Sequence, residues 1–201
     1  MERIPDEYLT IASPAEGYYR EKGSKFLAFI QPTEDEESVK EQLDEIKNAH
    51  FKSKHVCYAS RLGAGGERER AADAGEPANT AGQPILRQLQ KHNLTQVLAV
   101  VVRYFGGTKL GKGGLINAYR TATEDALSHT TFVSRYVTER IKLSFSYPEL
   151  DRVMKLLDDA EGEVVGQNFG IDCQMEINIR KGNISLLNNF LENHPEISVL
   201  Q

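Results

Sequence analysis

The run Val97 to Val102 (VLAVVV) is the most apolar stretch of the chain and constrains the fold more than any other feature. Six consecutive apolar residues leave no polar face for water, so Thr95 to Arg103 predicts a buried central strand. A helix follows from about Gly114 to Leu127, with Leu115, Tyr119, Ala122 and Ala126 on one face. Between strand and helix lies YFGGTKLGKGG, residues 104–114, which carries five glycines within nine residues. Glycine permits left-handed backbone and close approach at an entropic cost, so such a cluster needs a physical reason.

Gly106-x-x-x-x-Gly111-Lys112 supplies the first seven positions of a nucleotide-binding P-loop, but the eighth is Gly113. The missing hydroxyl is the one that would hold Mg²⁺ on the phosphates, and no second apolar strand ends in an aspartate to answer it. The third glycine of a dinucleotide fingerprint is also missing. Two readings stay open: a tight crossover whose glycines avoid clashes, or an anion-receiving loop flanked by Lys109 and Lys112 at a helix N-terminus. Charge favours the second. The chain has a net charge of -5, yet from Pro77 to Thr123 there is no acid and there are six basic residues, Arg87, Lys91, Arg103, Lys109, Lys112 and Arg120.

Upstream, Glu16 to Arg20 and Ser24 to Gln31 predict two strands joined at Glu21-Lys22-Gly23. Thr33 to Glu36 has the form of a capping box. It opens a helix with Val39, Leu43 and Ile46 on one face and Glu34 to Glu37 in the first turn, fading near His50. Lys54 to Leu62 alternates as a strand. Gly63 to Gln83 has no sustained period and reads as a loop, long enough to be functional or disordered. A short helix from Pro84 to Lys91 ends it, and Ser128 to Thr138 reads as a linker or a crossing strand.

The last third has its own order. Thr138 to Tyr147 alternates, Ser146 to Glu149 is a second capping-box pattern, and Leu150, Val153, Met154 and Leu157 form a helical stripe. Glu161 to Phe169 and Ile171 to Arg180 predict strands turned at Gly170. Asn183 opens a helix carrying Leu186, Leu187, Phe190 and Leu191, and Ile197 to Leu200 closes as a strand. This β-α-β-β-α-β succession is the ferredoxin-like order. The expected class is therefore α/β (α+β) in two domains, 1–135 and 136–201.

The N-terminus MERIPDEYLT lacks the basic and apolar regions of a signal peptide. No apolar run approaches the ~20 residues that span a bilayer. A cytoplasmic protein with no membrane contact is the expectation. Cys57 and Cys173 are far apart and read as buried thiols, not a disulfide framework. No CxxC pair, no HxxxH spacing among the five histidines and no Gly-x-Ser-x-Gly elbow occurs, so neither a metal nor another cofactor is expected.

The residues also carry a family resemblance. Gly82, Leu86, Leu89 and Leu94, followed by Val101-Val102-Arg103-Tyr104-Phe105-Gly106-Gly107-Thr108-Lys109-Leu110-Gly111, resemble the signature of the YigZ/IMPACT family. Asp73 to Pro84 (DAGEPANTAGQP) resembles that family's other block, Asp-Gly-Glu-Pro then Thr-Ala-Gly, with Ala74 as the departure. The resemblance covers the entire chain and is to the bacterial two-domain type. It implies an N-terminal domain of the ribosomal-protein-S5-domain-2-like kind and a C-terminal ferredoxin-like domain similar to domain V of elongation factor G. It implies a link to ribosomes or structured RNA, and supplies no catalytic residue. The eukaryotic relatives' role, binding the activator of an eIF2α kinase, presupposes a pathway that bacteria lack and is not carried over.

Two groups of candidate residues follow. Arg87, Lys91, Lys109 and Lys112 would contact phosphates, with Gly106, Gly107 and Gly111 allowing close backbone approach. Arg103 and Tyr104 stand at the strand exit, and Tyr104 or Phe105 would stack on a base, with apolar packing the competing role for Phe105. Asp73, Glu76 and Thr80 are conformational or acid/base candidates. Their bland alternatives are tying down the loop, an ion pair between Glu76 and Arg103, and a cap by Thr80 on the helix at Pro84. The expected function is a non-enzymatic RNA- or ribosome-associated, translation-related protein. The alternatives are an enzyme or sensor for a small phosphorylated ligand, and a protein-binding module in which the acidic helix matters more. Oligomeric state is not legible.

Overall fold

In the computed structural model, which describes residues 6–170 and 172–200, the run at 97–102 is the middle of a five-stranded antiparallel sheet. The chain divides into two units, Met1–Arg135 and Tyr136–Gln201. In chain order the first holds β1 (Glu7–Ile11), β2 (Ala15–Glu21), β3 (Ser24–Pro32), α1 (Glu36–Ala49), β4 (His55–Leu62) and β5 (Arg68–Ala72). Then come α2 (Gly82–Lys91), β6 (Val97–Tyr104), α3 (Gly111–Ser128) and β7 (Phe132–Tyr136), which pairs with β1. The sheet order is β2-β3-β6-β4-β5.

β6 is buried on both faces because helices lie on each. Leu98, Val100 and Val102 pack with Val39, Leu43 and Ile46 of α1. Val97, Ala99 and Val101 pack with Ile85 and Leu89 of α2 and Leu115, Ala118, Tyr119 and Ala122 of α3. All six residues of the run are 0 % exposed. A continuous apolar run is the habit of parallel strands. Here it arises in an antiparallel sheet covered on both sides at its centre.

Several local expectations are corrected. The segment 63–83 is not structureless, since β5 runs through it as an edge strand. Its RERAA sequence is largely exposed and has no alternation for a periodic reading to detect. β1 (EYLTI) is a short strand that no hydrophobic period marks in the sequence. The cap of α1 is Asp35, whose carboxylate accepts from Ser38 N at 2.8 Å. Thr33 instead is buried, with its N–H on the Gln96 carbonyl. α2 begins two residues before Pro84 and α3 three before Gly114.

The second unit holds β8 (Thr138–Phe145), α4 (Leu150–Asp159), β9 (Glu163–Phe169), β10 (Cys173–Arg180), α5 (Ile184–Asn193) and β11 (Ser198–Leu200). Its four strands lie in the order β11-β8-β10-β9, all antiparallel. Leu143, Phe145, Val153, Leu157, Met175 and Ile177 are among its core residues. Met154 and Leu186 are exposed, contrary to the predicted stripes, and Leu156 is buried in the former's stead. Ser146 makes no side-chain cap, and Tyr147–Glu149 form a single 3-10 turn before α4. Ile171 lies outside the described residues.

α3 lies close on β2 because position 17 has no side chain. A Cβ on Gly17 would stand 2.3 Å from the backbone N of Ala126. Only movement of the helix would relieve that, so Gly17→Ala is expected to cost about 3 kcal/mol, as overpacking against rigid backbone does. Urea unfolding measures it; an unchanged midpoint would mean that α3 can retreat from β2 freely.

Candidate nucleic-acid interface

β6 delivers Arg103 and Tyr104 to opposite faces of the sheet. Arg103 turns inward, where its Nη1 donates to Glu76 Oε1 at 2.7 Å, with the two side chains 6 and 4 % exposed. The Tyr119 hydroxyl donates to the same oxygen at 2.8 Å. The guanidinium lies between the rings of Phe26 and Phe105, 5.5 and 5.4 Å from their centroids. Its Nη2 approaches Ser24 Oγ at 3.4 Å, and that hydroxyl oxygen also accepts from Gly106 N at 3.1 Å. A buried charge is tolerable only when paired and hydrogen-bonded. Here the pairing ties the 73–83 segment to the glycine loop.

Asp73 organises the rest of that segment. Its carboxylate accepts from Asn79 N at 2.7 Å and from Ala81 N and Gly82 N at 2.9 Å, serving the N-terminus of α2, whose cap residue Ala81 offers no side-chain acceptor. Burial pushes the Asp73 carboxyl up, but the N–H groups of Asn79, Gly82, Ala81 and Thr80 outweigh it and hold the carboxyl below the ordinary value. The Thr80 hydroxyl donates to the Pro77 carbonyl at 2.6 Å, so it braces the turn and does not cap α2. Cys57 lies beneath, 3.0 Å from the Asp73 carbonyl and 3.3 Å from the Tyr119 hydroxyl. Burial pushes its thiol up to about 12, which leaves no thiolate for nucleophilic chemistry at neutral pH. Burial, with Cys57 and Glu76 adding to it, likewise raises Tyr119.

The glycine loop divides by function. A Cβ on Gly106 would fall 1.9 Å from the Gly23 carbonyl carbon, so this glycine exists for contact with the β2–β3 turn. Gly107 and Gly111 have φ of +89° and +70°, the left-handed region, yet around them and Gly113 a Cβ would meet nothing within 4 Å. The loop is open on that side. Helix α3 has Leu110 as its N-cap residue, with no side-chain cap, and no acid in its first turn. Its first N–H groups have no side-chain acceptor, and the exposed Lys109 and Lys112 have no ion pair among the described residues.

The basic segment 77–123 does not gather into one patch. Arg103 is buried, and Lys91 pairs with Glu124 at 2.9 Å. Glu124 is thirteen residues along α3 from Gly111, a rise of ~20 Å, so Lys91 belongs to the far end of that helix. Arg87 is exposed one turn before Lys91 on α2, and Arg120 donates to Asn117 on α3. Other residues join the loop instead. A surface depression of about 420 Å³ beside it is lined by Tyr18, Gly23, Lys25, Leu27, Tyr104 and Phe105. The signal available for Gly23 and Lys25 was the short stretch Lys22-Gly23-Ser24-Lys25, which places two lysines around a strand start.

In the second unit, Glu149, His194 and Glu196 bring ligand-type atoms within 4.8 Å of one another, a grouping with no spacing signature in the sequence. Arg152 Nη1 already donates to Glu149 Oε2 at 2.6 Å and to Glu196 Oε1 at 3.2 Å.

These features define a two-unit α/β protein whose distinctive chemistry is an open glycine loop braced by a buried ion pair. Residues 22–127 match the Impact N-terminal domain. The chain is 32 % identical to an IMPACT family member of Haemophilus influenzae over 92 % of this chain and 91 % of that one. It is 31 % identical to the IMPACT family member YigZ of Escherichia coli, over 82 and 81 %. A crystal structure described as a hypothetical protein superposes with a TM-score of 0.71 at 26 % identity, covering 98 % of this chain and 97 % of the other. The chain belongs to the IMPACT family.

Two outcomes are expected from the ion pair and from Asp73. Glu76→Gln keeps an acceptor for Tyr119 but strands the Arg103 charge, at a cost of about 3–5 kcal/mol. Adding Arg103→Met should recover much of that loss in a double-mutant cycle by urea unfolding; simple additivity would mean the two residues act independently. Asp73 titrates lower folded than unfolded, so its contribution is present above the ordinary carboxyl value of about 3.9 and is lost as pH falls through the folded value. Asp73→Asn should lower stability at pH 7 and flatten its fall below about pH 4; parallel profiles would remove Asp73 as the source.

Proposed function

We propose that the protein is a non-enzymatic, translation-related factor that binds RNA phosphates at the 104–114 loop, on the ribosome or another structured RNA. The observation that carries this reading is the loop itself: open glycines, an uncapped helix N-terminus with no acid, and two lysines without an ion pair among the described residues. Such a surface suits a phosphate chain through backbone N–H groups and local positive charge. Asp73, Glu76 and Thr80 act as the frame that holds the loop, since their polar atoms are bonded within the protein. That favours binding over turnover of a small phosphorylated ligand. Arg87 and Lys91 contribute at most a separate contact.

We further read the two units as domains, 1–135 of the ribosomal-protein-S5-domain-2-like kind and 136–201 of the ferredoxin-like kind. The strand order β11-β8-β10-β9 supports the second. Among the described residues no helix is long and apolar enough to cross a membrane. A cytoplasmic site of action fits a ribosomal partner.

Lys109→Ala with Lys112→Ala tests the reading. Fluorescence anisotropy with a labelled RNA stem-loop should show weaker binding. The slope of log K against log salt should shrink by about 1.4–1.8, the share of two phosphates that are no longer neutralised. Unchanged affinity and slope would remove the loop as a phosphate contact.

A further inference from the structure

We propose that the sheet margin beside the glycine loop is a slot for unpaired RNA, with bases on aromatic rings and phosphates on surrounding lysines. The proposal rests on the phosphate-binding reading above and names the form of RNA it selects.

Three connections far apart in sequence meet at this end of the first unit. Lys25 at the start of β3 stands opposite Tyr104 in the ladder, and His55 at the start of β4 stands opposite Arg103. His50, just past α1, lies 2.9 Å from the Tyr104 hydroxyl through Nδ1. Gly106 rests on Gly23 of the β2–β3 turn. The connections 20–25, 50–55 and 104–114 together hold seven lysines and arginines and a single acid, in a chain of net charge -5. That acid, Glu21, accepts from the Tyr19 hydroxyl at 2.7 Å, and alternation along β2 puts both on the α3 side of the sheet. None of the seven has an ion pair among the described residues, whereas Lys47, Arg61, Arg70 and Lys91 elsewhere in the unit are paired.

The rings lie within this charge. Cross-strand partners share a face, and Arg20 opposes Lys25 while Tyr18 opposes Leu27. Tyr18, Arg20, Lys25, Leu27 and Tyr104 therefore line one side of the sheet, at a margin where Tyr18 is 47 % exposed. Phe105 has Arg103 behind it and is 53 % exposed. Phe51, with Lys52 5.6 Å over its ring, is 75 % exposed. The depression of about 420 Å³ lies between the first of these rings.

Aromatic rings interleaved with unpaired cations suit a strand whose bases are free to stack. A duplex keeps its base faces stacked inside and offers such a surface phosphates, sugar hydroxyls and base edges but no face to stack on. The exposed rings then have no role with a duplex, which is why the slot selects unpaired RNA.

Anisotropy with a labelled twelve-nucleotide oligo(U) and a blunt twelve-base-pair RNA duplex separates the possibilities. The single strand is expected to bind at least tenfold more tightly. Tyr18→Ala and Phe105→Ala should each weaken it by about tenfold, at the low end of base stacking, and leave the duplex unchanged. The chain has no tryptophan, so Phe105→Trp supplies a single indole; it should keep oligo(U) affinity and lose fluorescence as the oligonucleotide binds. Equal affinity for strand and duplex, or aromatic variants without effect while Lys109 and Lys112 still matter, overturns the slot and leaves the phosphate reading standing. Salt-insensitive or absent binding of both probes overturns both. Tighter binding of oligo(dT) than of oligo(U) overturns the assignment to RNA.

Discussion

Arg103 brings a full positive charge into the core of the first unit, and the two family sequence blocks are organised around meeting that charge. Glu76 supplies the counter-charge, Tyr119 shares the same oxygen, and two phenylalanine rings cover the guanidinium. Removing either charge would leave the other without solvent, which makes the pair a constraint more than a source of stability. What it fixes is relative position. Through Glu76 it holds the turn that starts α2, and through Ser24 it holds Gly106 on the β2–β3 turn. The glycine loop is thus an exposed element with a rigid base, a sound arrangement for binding because little ordering is left to the moment of contact.

The parts of this fold that were legible in the sequence are those with a hydrophobic period. VLAVVV marked the central strand, the Val39/Leu43/Ile46 stripe marked α1, and alternation marked β4 and β8. Elements governed by hydrogen bonding or charge were not legible. β5 has no apolar alternation, and the cap of α1 came from Asp35 instead of the threonine that fitted a motif. α2 starts early because Asp73, nine residues upstream, serves its first N–H groups.

The candidate site was legible in half. The loop, its lysines and the pairing of Arg103 with Glu76 were all within reach of the sequence. The contiguity of charge along the chain misled: Lys91 and Lys112 belong to one acid-free segment, yet a long helix separates them. Conversely, Lys25 and His55 stand opposite Tyr104 and Arg103 only because antiparallel strands return their starts to the place where β6 ends. Proximity in an antiparallel sheet follows strand order, which a one-dimensional charge plot does not contain.

β5 has a further consequence. Among the described residues it is the last strand of its sheet, the kind of edge on which another chain can add itself. Its Arg68-Glu69-Arg70 sequence lines that edge with charge and leaves little apolar surface to stack on. The composition that hides the strand from hydrophobic periodicity therefore also keeps it from templating aggregation.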